Sequence, residues 1–427
     1  MAINVRAPRF IAVFTLFGGA LLGCGMSTAR PEKADSREEA IVDVNHTEVE
    51  RQSIGNCWIY AEASWAESMY KTATGADFDI SQSYWTYWHW FGEITGSPWS
   101  TTIQTGGWWS TANDIVRNYG LMSEADFVPE DSATGVEMSA RQKSALGAMN
   151  DALKTGGRLD TRAKREDAAL VLEVLNDAWQ LTPDVRTLLS GAFGAEGSET
   201  IARGRATLPA KITSAAVFPA AYALAPTEPS TVKTLDRAIR EWREVRYPAT
   251  AFSRRAMQIR LQRALHDRQP AILNWFVDFN ALESEVGLPL SGSFTLAKLD
   301  NKPGRQGGHM VVFEDYEAKL ASGDVLKAGV TLDPTKAADA TKLSEALRTD
   351  TEVSFFRIKN SWGKNRTDRG FAPGFPGYHD LYMDYLNGPV KQCTETENLV
   401  PLAERGCDYD STPLQSLIMP SGYLSTP

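Results

Sequence analysis

Apolar residues recur at helical spacing over the first two thirds of the chain. The first strong pattern is Trp58, Ala61, Trp65 and Met69, which predicts an amphipathic helix with Cys57 at its N-terminus. An aromatic-faced segment, 81–91, and a segment that closes on Gly120, 106–120, predict two more helices. From about 131 to 265 the chain is rich in Ala and Leu, and helical spacing there predicts helices over 170–178, 235–242 and 257–265.

After residue 268 the pattern changes to short apolar or alternating runs bounded by Gly, Asn or Asp. These runs predict strands over 270–279, 309–317 and 353–360, with 318–352 as a polar excursion between two of them. Helices that precede a set of strands are typical of the α+β class, which we therefore predict.

The N-terminus has the features of a sorting signal. Arg6 and Arg9 precede an apolar stretch over 10–22 that is too short to span a bilayer. The stretch ends in Leu-Leu-Gly-Cys24, which resembles the lipobox of bacterial lipoproteins and implies a signal peptide over 1–23, a lipid on Cys24 and a tether over 24–50. The next residue is Gly25, so in a Gram-negative host the resemblance implies the outer membrane. The alternative is a plain secretory signal with an incidental cysteine.

Composition excludes a chain that is disordered throughout, and charge argues against a nucleic-acid-binding protein. The chain has 427 residues, of which 43% are hydrophobic and 23% charged, so it is long and apolar enough to bury a sizeable core. Its formal charge of −9 argues against a nucleic-acid partner, because neutralising phosphates requires a basic face. We find no metal-ligand motif and predict neither a metal nor a cofactor.

The four cysteines separate into three groups. Cys24 is the lipidation candidate. Cys393 and Cys407 lie 14 residues apart in a segment rich in turn residues, and we predict a disulfide between them because an exported chain permits one. Cys57 is then the single unpaired thiol.

Cys57, His309 and Asn360 could together form a nucleophilic site. The unpaired N–H groups of a helix N-terminus stabilise a thiolate, and Cys57 is placed at one. His309 follows the pair Gly307-Gly308 and opens a predicted strand, and Asn360 ends another strand 51 residues later. An imidazole beside the sulfur can act as a base, and an amide can hold its tautomer. The alternative for Cys57 is a small buried hydrophobic residue.

Three motifs in this order resemble the papain-like cysteine peptidases: QSIGNCW around Cys57, GGHMVVFEDY around His309 and KNSWG around Asn360. SQSYWTYW and the long helical segment are similar to the bleomycin-hydrolase-like branch. The resemblance covers roughly 51–130 and 256–385. It implies a two-lobe fold, with a helical lobe over 51–130 and a β-rich lobe over 256–390. The resemblance does not cover 131–255, which we interpret as a helical insertion, or 391–427, which we interpret as a C-terminal tail.

The resemblance also implies roles for individual residues. Cys57 is the implied nucleophile, His309 the general base and acid, and Asn360 the amide that orients the imidazole. The other implied roles are shielding of the His–Asn contact by Trp362, binding of the substrate backbone by Gly106 and Gly107, and an oxyanion donor at Gln52. Trp108 and Trp109 are candidates either for lining a substrate subsite or for core packing. His89 is interpreted as a packing or surface residue, and His46, His266 and His379 have no motif support.

The spacing at Gln52 departs from the family. Four residues separate it from Cys57 where the family has five, although Gly55 gives the intervening turn the freedom to tighten. We expect the Gln52 side chain to reach the oxyanion position. The alternative is that the Asn56 side chain, or backbone N–H groups alone, occupies that position.

The function predicted from these features is that of an exported, lipid-anchored cysteine peptidase acting on peptide or protein substrates. The first alternative is an amidase or transglutaminase with a Cys-His-Asn or Cys-His-Asp site. The second is a papain-like surface binding protein whose catalytic site is silent.

Overall fold

The computed structural model of the chain describes residues 44–133, 136–393, 406–407 and 409–425. The predicted signal peptide, Cys24 and the tether up to residue 43 lie outside the described residues. Residues 44–50, predicted as the end of the tether, instead pack on the body. Val44 and Val49 are buried, and the Thr47 hydroxyl donates to the Glu67 carboxylate at 2.6 Å. Within the described residues, no helix is long and apolar enough to cross a membrane.

The first part of the body is helical, and its helices begin and end where local chemistry predicts. Ser81 caps α2 by accepting a hydrogen bond from the Tyr84 N–H, Thr182 and Pro183 start α8, and Gly120 ends α3. The helices predicted at 57, 81–91 and 106–120 are confirmed. The helices are α1 (Cys57–Thr74), α2 (Gln82–Gly96), α3 (Trp109–Tyr119), α4 (Glu124–Phe127), α5 (Ala140–Leu153), α6 (Arg162–Glu166), α7 (Ala168–Ala178) and α8 (Pro183–Phe193).

The sequence pattern predicted that the segment from 219 to 266 is helical. The structure instead shows both strands and helices there. The segment forms β1 (Pro219–Tyr222), β2 (Thr231–Thr234), α9 (Leu235–Glu241), β3 (Trp242–Arg246) and α10 (Ala251–His266). The helix predicted over 235–242 therefore ends one residue early, and Trp242 begins a strand. Trp242 pairs with Pro420 in the main sheet, and its buried ring packs edge-on against Trp65. Pairing with a strand far along the chain overrode the local spacing.

The remaining elements form most of the sheet. They are β4 (Ala271–Asp278), a 3₁₀ turn (Phe279–Ala281), β5 (Ser293–Phe294), α11 (Leu296–Leu299), β6 (Gln306–Lys319), β7 (Val325–Leu326), α12 (Ala337–Ala346), β8 (Glu352–Lys359), β9 (Tyr378–Tyr382), α13 (Met383–Asn387), β10 (Val390–Gln392), β11 (Tyr409–Ser411), β12 (Leu414–Pro420) and α14 (Ser421–Ser425). The three predicted strands are confirmed as β4, β6 and β8. The polar excursion contains β7 and α12.

The main sheet of the described residues has eight strands in the order β3-β12-β4-β6-β8-β9-β5, with β7 paired to β6. Its pairs are antiparallel except β5 with β9. Strand β12 lies between β3 and β4, so the segment predicted as a C-terminal tail supplies an interior strand. The tail interpretation was wrong because the run Leu414–Pro420 follows a turn-rich segment and finds its partners only in the folded chain.

Both faces of the sheet are buried, and each contributes to a separate hydrophobic core. Met310 and Val312 of β6 face the first core, which contains α1, α2, α3, α5, α7 and α8. The alternate residues Val311 and Phe313 face the second core, which contains α10. This division follows from the two-residue period of a strand. The α+β class is confirmed, and α1, which carries Cys57, packs directly on β6, which carries His309.

Candidate active site

Cys57 is the first residue of α1 and the free cysteine of the described chain. Its side chain is 9% exposed. The backbone N–H groups of Met310, the residue after His309, of Trp58 and of Cys57 itself act to lower the pKa of the Cys57 thiol. The thiol therefore lies where the N-terminus of α1 meets β6.

His309 and Asn360 form a buried hydrogen bond, from Nε2 of the imidazole to Oδ1 of the amide, at 2.8 Å. The same oxygen accepts the Ser361 backbone N–H at 2.8 Å, which identifies it as the oxygen because an N–H cannot donate to an amide NH₂ group. The proton of a neutral imidazole must then be on Nε2. Its other nitrogen, Nδ1, is left as the acceptor, which is the form that a general base requires.

Burial favours the neutral forms of both reactive groups. It raises the pKa of the Cys57 thiol, an effect that the three backbone N–H groups oppose. It lowers the pKa of His309 to about 4, an effect that the Asn360 hydrogen bond opposes and the charge of Arg369 reinforces. The resting site therefore holds a thiol and a neutral imidazole, and a proton must leave the thiol when the sulfur reacts.

Trp362 covers one face of the imidazole. The two rings stack at 4.9 Å with an angle of 21° between their planes, and Trp362 is 6% exposed. Phe279 stacks on Trp362 in turn, at 5.4 Å. Trp362 therefore lies against the imidazole whose hydrogen bond to Asn360 the resemblance expects it to shield.

The Gln52 amide is held in the tight turn before α1. Its Nε2 donates to the Ile54 carbonyl at 2.7 Å, and its Oε1 accepts the Ser361 hydroxyl at 2.6 Å. An amide nitrogen has a second N–H, which remains for an oxyanion. Asn56 is a poorer candidate, because both its N–H groups already donate, to Thr86 and to Gln142, at 3.0 Å each.

Gly106 and Gly107 lie beside α1 but in different surroundings. A Cβ on Gly106 would meet no atom within 4 Å, so its backbone is open to an approaching chain. A Cβ on Gly107 would lie 2.4 Å from the Trp58 ring. Trp108 is 63% exposed whereas Trp109 is 6% exposed, so Trp109 packs in the core and Trp108 is available to a substrate.

Two more histidines contact residues of this site: His379, which has no motif support, and His89, which the sequence pattern interpreted as a packing or surface residue. His379 is fully buried, and its Nδ1 accepts a hydrogen bond from Nδ2 of Asn360 at 3.3 Å. Burial, with the charge of Arg369, lowers the pKa of His379 to about 3, so the ring stays neutral and can accept. His89 packs edge-on against Trp58 at 4.9 Å and bonds to the Gln104 carbonyl at 3.3 Å. His379 lies on β9 and His89 on α2, and no motif signals either as a site residue.

The other described cysteines and histidines have partners of their own. Cys393 and Cys407 are joined by a disulfide. His46 pairs with Glu314 at 2.6 Å, and His266 contacts the Tyr316 hydroxyl at 2.7 Å. Among the residues that the structure describes, no three His, Cys, Asp or Glu side chains form a group able to hold a metal ion.

No family model matches the sequence, and no curated protein matches it. Solved structures match over most of the chain. Xylellain, a cysteine protease from Xylella fastidiosa, is 12% identical, with 92% of this chain and 90% of xylellain covered and a TM-score of 0.33. A structure from work on antibody cross reactivity between the mite allergens Blo t 1 and Der p 1 is 10% identical, with 88% and 67% covered and a TM-score of 0.31.

The chemistry open to this chain depends on its own residues Cys57, His309 and Asn360. The leaning toward the bleomycin-hydrolase-like branch is not shown by these matches and stays a prediction.

Proposed function

We propose that the chain is a cysteine peptidase in which Cys57 attacks the carbonyl carbon of a peptide bond. The observation that supports this most directly is the 2.8 Å hydrogen bond between His309 and Asn360. It leaves Nδ1 of the imidazole as an acceptor that can take a proton from the helix-terminal thiol. The three residues also follow one another along the chain in the order of the family motifs that they resemble.

The first half of the proposed reaction forms an acyl-enzyme. Nδ1 of His309 takes the thiol proton as the Cys57 sulfur bonds to the carbonyl carbon. Negative charge then develops on the carbonyl oxygen. The candidate donors to it are the backbone N–H of Cys57 and the second N–H of the Gln52 amide.

The second half releases the products. The His309 imidazolium gives its proton to the leaving amine, and the C–N bond breaks. Water then attacks the thioester with His309 again acting as the base, which frees the acid product and restores the thiol. Asn360, fixed by Ser361 and His379, keeps Nε2 protonated, so the same ring nitrogen faces the sulfur throughout.

Two rival functions remain distinguishable from this one. An amidase or transglutaminase would use the same thiol chemistry on a side-chain amide. The exposed Trp108 beside the open backbone of Gly106 favours an extended peptide instead. A silent binding protein would retain the fold without a reactive thiol, and the bonded His309–Asn360 pair argues against that.

Replacement of Cys57 by Ser tests the proposal. We expect wild-type protein to cleave unstructured protein substrates and to be labelled on Cys57 by an epoxide inhibitor of cysteine peptidases. Cys57→Ser should retain less than about a hundredth of the activity, because a hydroxyl is a far poorer nucleophile here. Circular dichroism and a urea unfolding midpoint equal to wild type would show that the fold is intact. An unlabelled thiol, or a fully active Cys57→Ser variant, would overturn the proposal.

We also propose export and anchoring through a lipid on Cys24, supported by the signal-like N-terminal sequence. In a Gram-negative host the site would be the outer membrane. Cys24→Ser should move the full chain from the membrane fraction to the soluble fraction, with Cys57→Ser as the control that stays with membranes. Retention of Cys24→Ser on membranes after a high-salt wash would refute lipid anchoring.

A further inference from the structure

Two arginines extend the ring stack that covers His309. The Arg369 guanidinium carbon lies 4.5 Å from the centre of the Trp362 ring and 4.7 Å from that of Phe279. The Arg305 guanidinium carbon lies 4.1 Å from the Phe279 centre. We call these four residues the arginine–aromatic column. Because Trp362 itself stacks on the imidazole, the column begins at the reacting groups.

Within the described residues, neither Arg305 nor Arg369 forms an ion pair with a carboxylate. Burial and the charges of Arg366, Arg305 and Arg51 lower the pKa of Arg369 to about 10, while Asp368 opposes them. The Asp368 carboxylate is already bound by both Nε and an NH₂ group of Arg366.

The stacking leaves the hydrogen-bonding edges of these groups usable. A guanidinium meets an aromatic ring through its flat face, whereas its N–H groups point outward in its own plane. Arg305 is exposed and Arg369 is half-buried. A carboxylate is the anion whose two oxygens match the paired N–H groups of such an edge.

The column extends from the His309 part of the site, because Trp362 stacks on the imidazole. Trp58 donates to the Thr105 carbonyl at 3.0 Å and so places Gly106 on the Cys57 side. The acyl part of the substrate stays bonded to Cys57, but the amine takes its proton from His309. The chain that continues from that amine therefore starts at the imidazole, which Trp362 covers.

We propose that Arg305 and Arg369 form a subsite that binds a carboxylate just after the cleaved bond. The carboxylate is either an acidic side chain or the C-terminal carboxylate of a short leaving group. The subsite rests on the proposed function, because cleavage at Cys57 defines which part of the substrate leaves.

Paired peptides test this on the full chain. The first pair differs only in Asp or Asn after the cleaved bond, within a chain amidated at its C-terminus. The second pair ends two residues after the bond, with a free or an amidated C-terminus. In at least one pair, we expect kcat/KM for the peptide with the carboxylate to be about tenfold higher than for its partner. The pair that shows the difference tells whether the bound carboxylate is an acidic side chain or a C-terminus. Raising the ionic strength from about 0.05 to about 0.5 M should reduce the preference.

Variants then assign the preference to the column. Arg305→Gln and Arg369→Gln should each bring the ratio toward one, whereas Arg162→Gln should leave it at the wild-type value. Arg162 is a matched control because it is an exposed arginine on α6 that pairs with Glu166. Urea midpoints are measured for all three variants. If a variant fails to fold, the carboxylate preference of the wild-type protein still tests the subsite.

The outcomes separate the two proposals. Hydrolysis of every peptide with a carboxylate ratio near one would overturn the subsite and leave the peptidase standing. The subsite is also overturned if the arginine variants lose stability but keep the wild-type ratio, because the column would then serve only to hold the fold. If the protein hydrolyses none of the peptides and its Cys57 also fails to react with the epoxide inhibitor, the proposal that it is a peptidase is overturned.

Discussion

Replacing Gly107 by Ala should damage both the stability and the activity of the protein. The added Cβ would lie 2.4, 2.5 and 2.8 Å from three carbons of the Trp58 ring, where ordinary contacts are about an ångström longer. The ring has little room to retreat. It is 1% exposed, its Nε1 donates to the Thr105 carbonyl, and it packs against the His89 ring at an interplanar angle of 78°.

The magnitude follows from that overlap. Overpacking a well-packed site by one methyl group costs about 1–3 kcal/mol in the free energy of unfolding. Trp58 is the residue after Cys57 in α1, so a shift of the ring also moves the nucleophile. A displacement of about 1 Å at reacting atoms can lower a rate by about a hundredfold, and we expect kcat to fall on that scale.

Gly106→Ala is the matched control, because its Cβ would meet no atom within 4 Å. We expect its urea midpoint to equal that of wild type, while KM rises if substrate backbone approaches Gly106. Urea unfolding followed by circular dichroism and steady-state hydrolysis of one peptide measure both variants. A Gly107→Ala protein with the wild-type midpoint and kcat would refute the argument that Trp58 is immobile.

Three further predictions concern single side chains. Gln52→Ala should lower kcat by about 10² to 10³-fold, the usual loss for one oxyanion donor, and a near-normal kcat would mean that Gln52 does not fill that role. Burial lowers the pKa of His309 to about 4, so the imidazole stays a base down to that pH. The value of kcat/KM should therefore fall only below about pH 4. A kcat/KM that falls to half its maximum near pH 6.5 would contradict this. Burial raises the pKa of Glu62 well above its usual value, and neither of its oxygens has a partner among the described residues. The folded protein then holds a proton that the unfolded chain loses above about pH 4.5, so the free energy of unfolding falls as pH rises. Glu62→Gln should therefore be more stable than wild type at pH 8, by a margin that grows by up to about 1.4 kcal/mol per pH unit. Parallel pH profiles of the urea midpoint for the two proteins would count against this.

The sequence was sufficient for features that depend on near neighbours. Helix α1 begins at Cys57 because turn residues precede it and an amphipathic pattern follows, and both are local. The strands that carry His309 and precede Asn360 were likewise visible as short apolar runs with polar ends. The α+β class followed from the order of these elements.

Other features depended on residues far apart in the chain. Strand β12 pairs with β3 and β4, roughly 170 and 140 residues earlier, and no local pattern selects those partners over solvent. Trp242 fits a helix by spacing but begins β3, because a strand partner and a buried pocket exist only in the folded chain.

The candidate site divides in the same way. Residue types and spacing identified Cys57, His309 and Asn360, because thiol chemistry needs a base and an orienting amide whatever the fold. Only the tertiary structure brought His379 onto Asn360 and set Arg305 and Arg369 on the rings beside His309. The sequence does not show which residues a histidine or an arginine side chain contacts. Its role is decided by burial and by which charges and rings pack against it, and these come from segments that meet only when the sheet has formed.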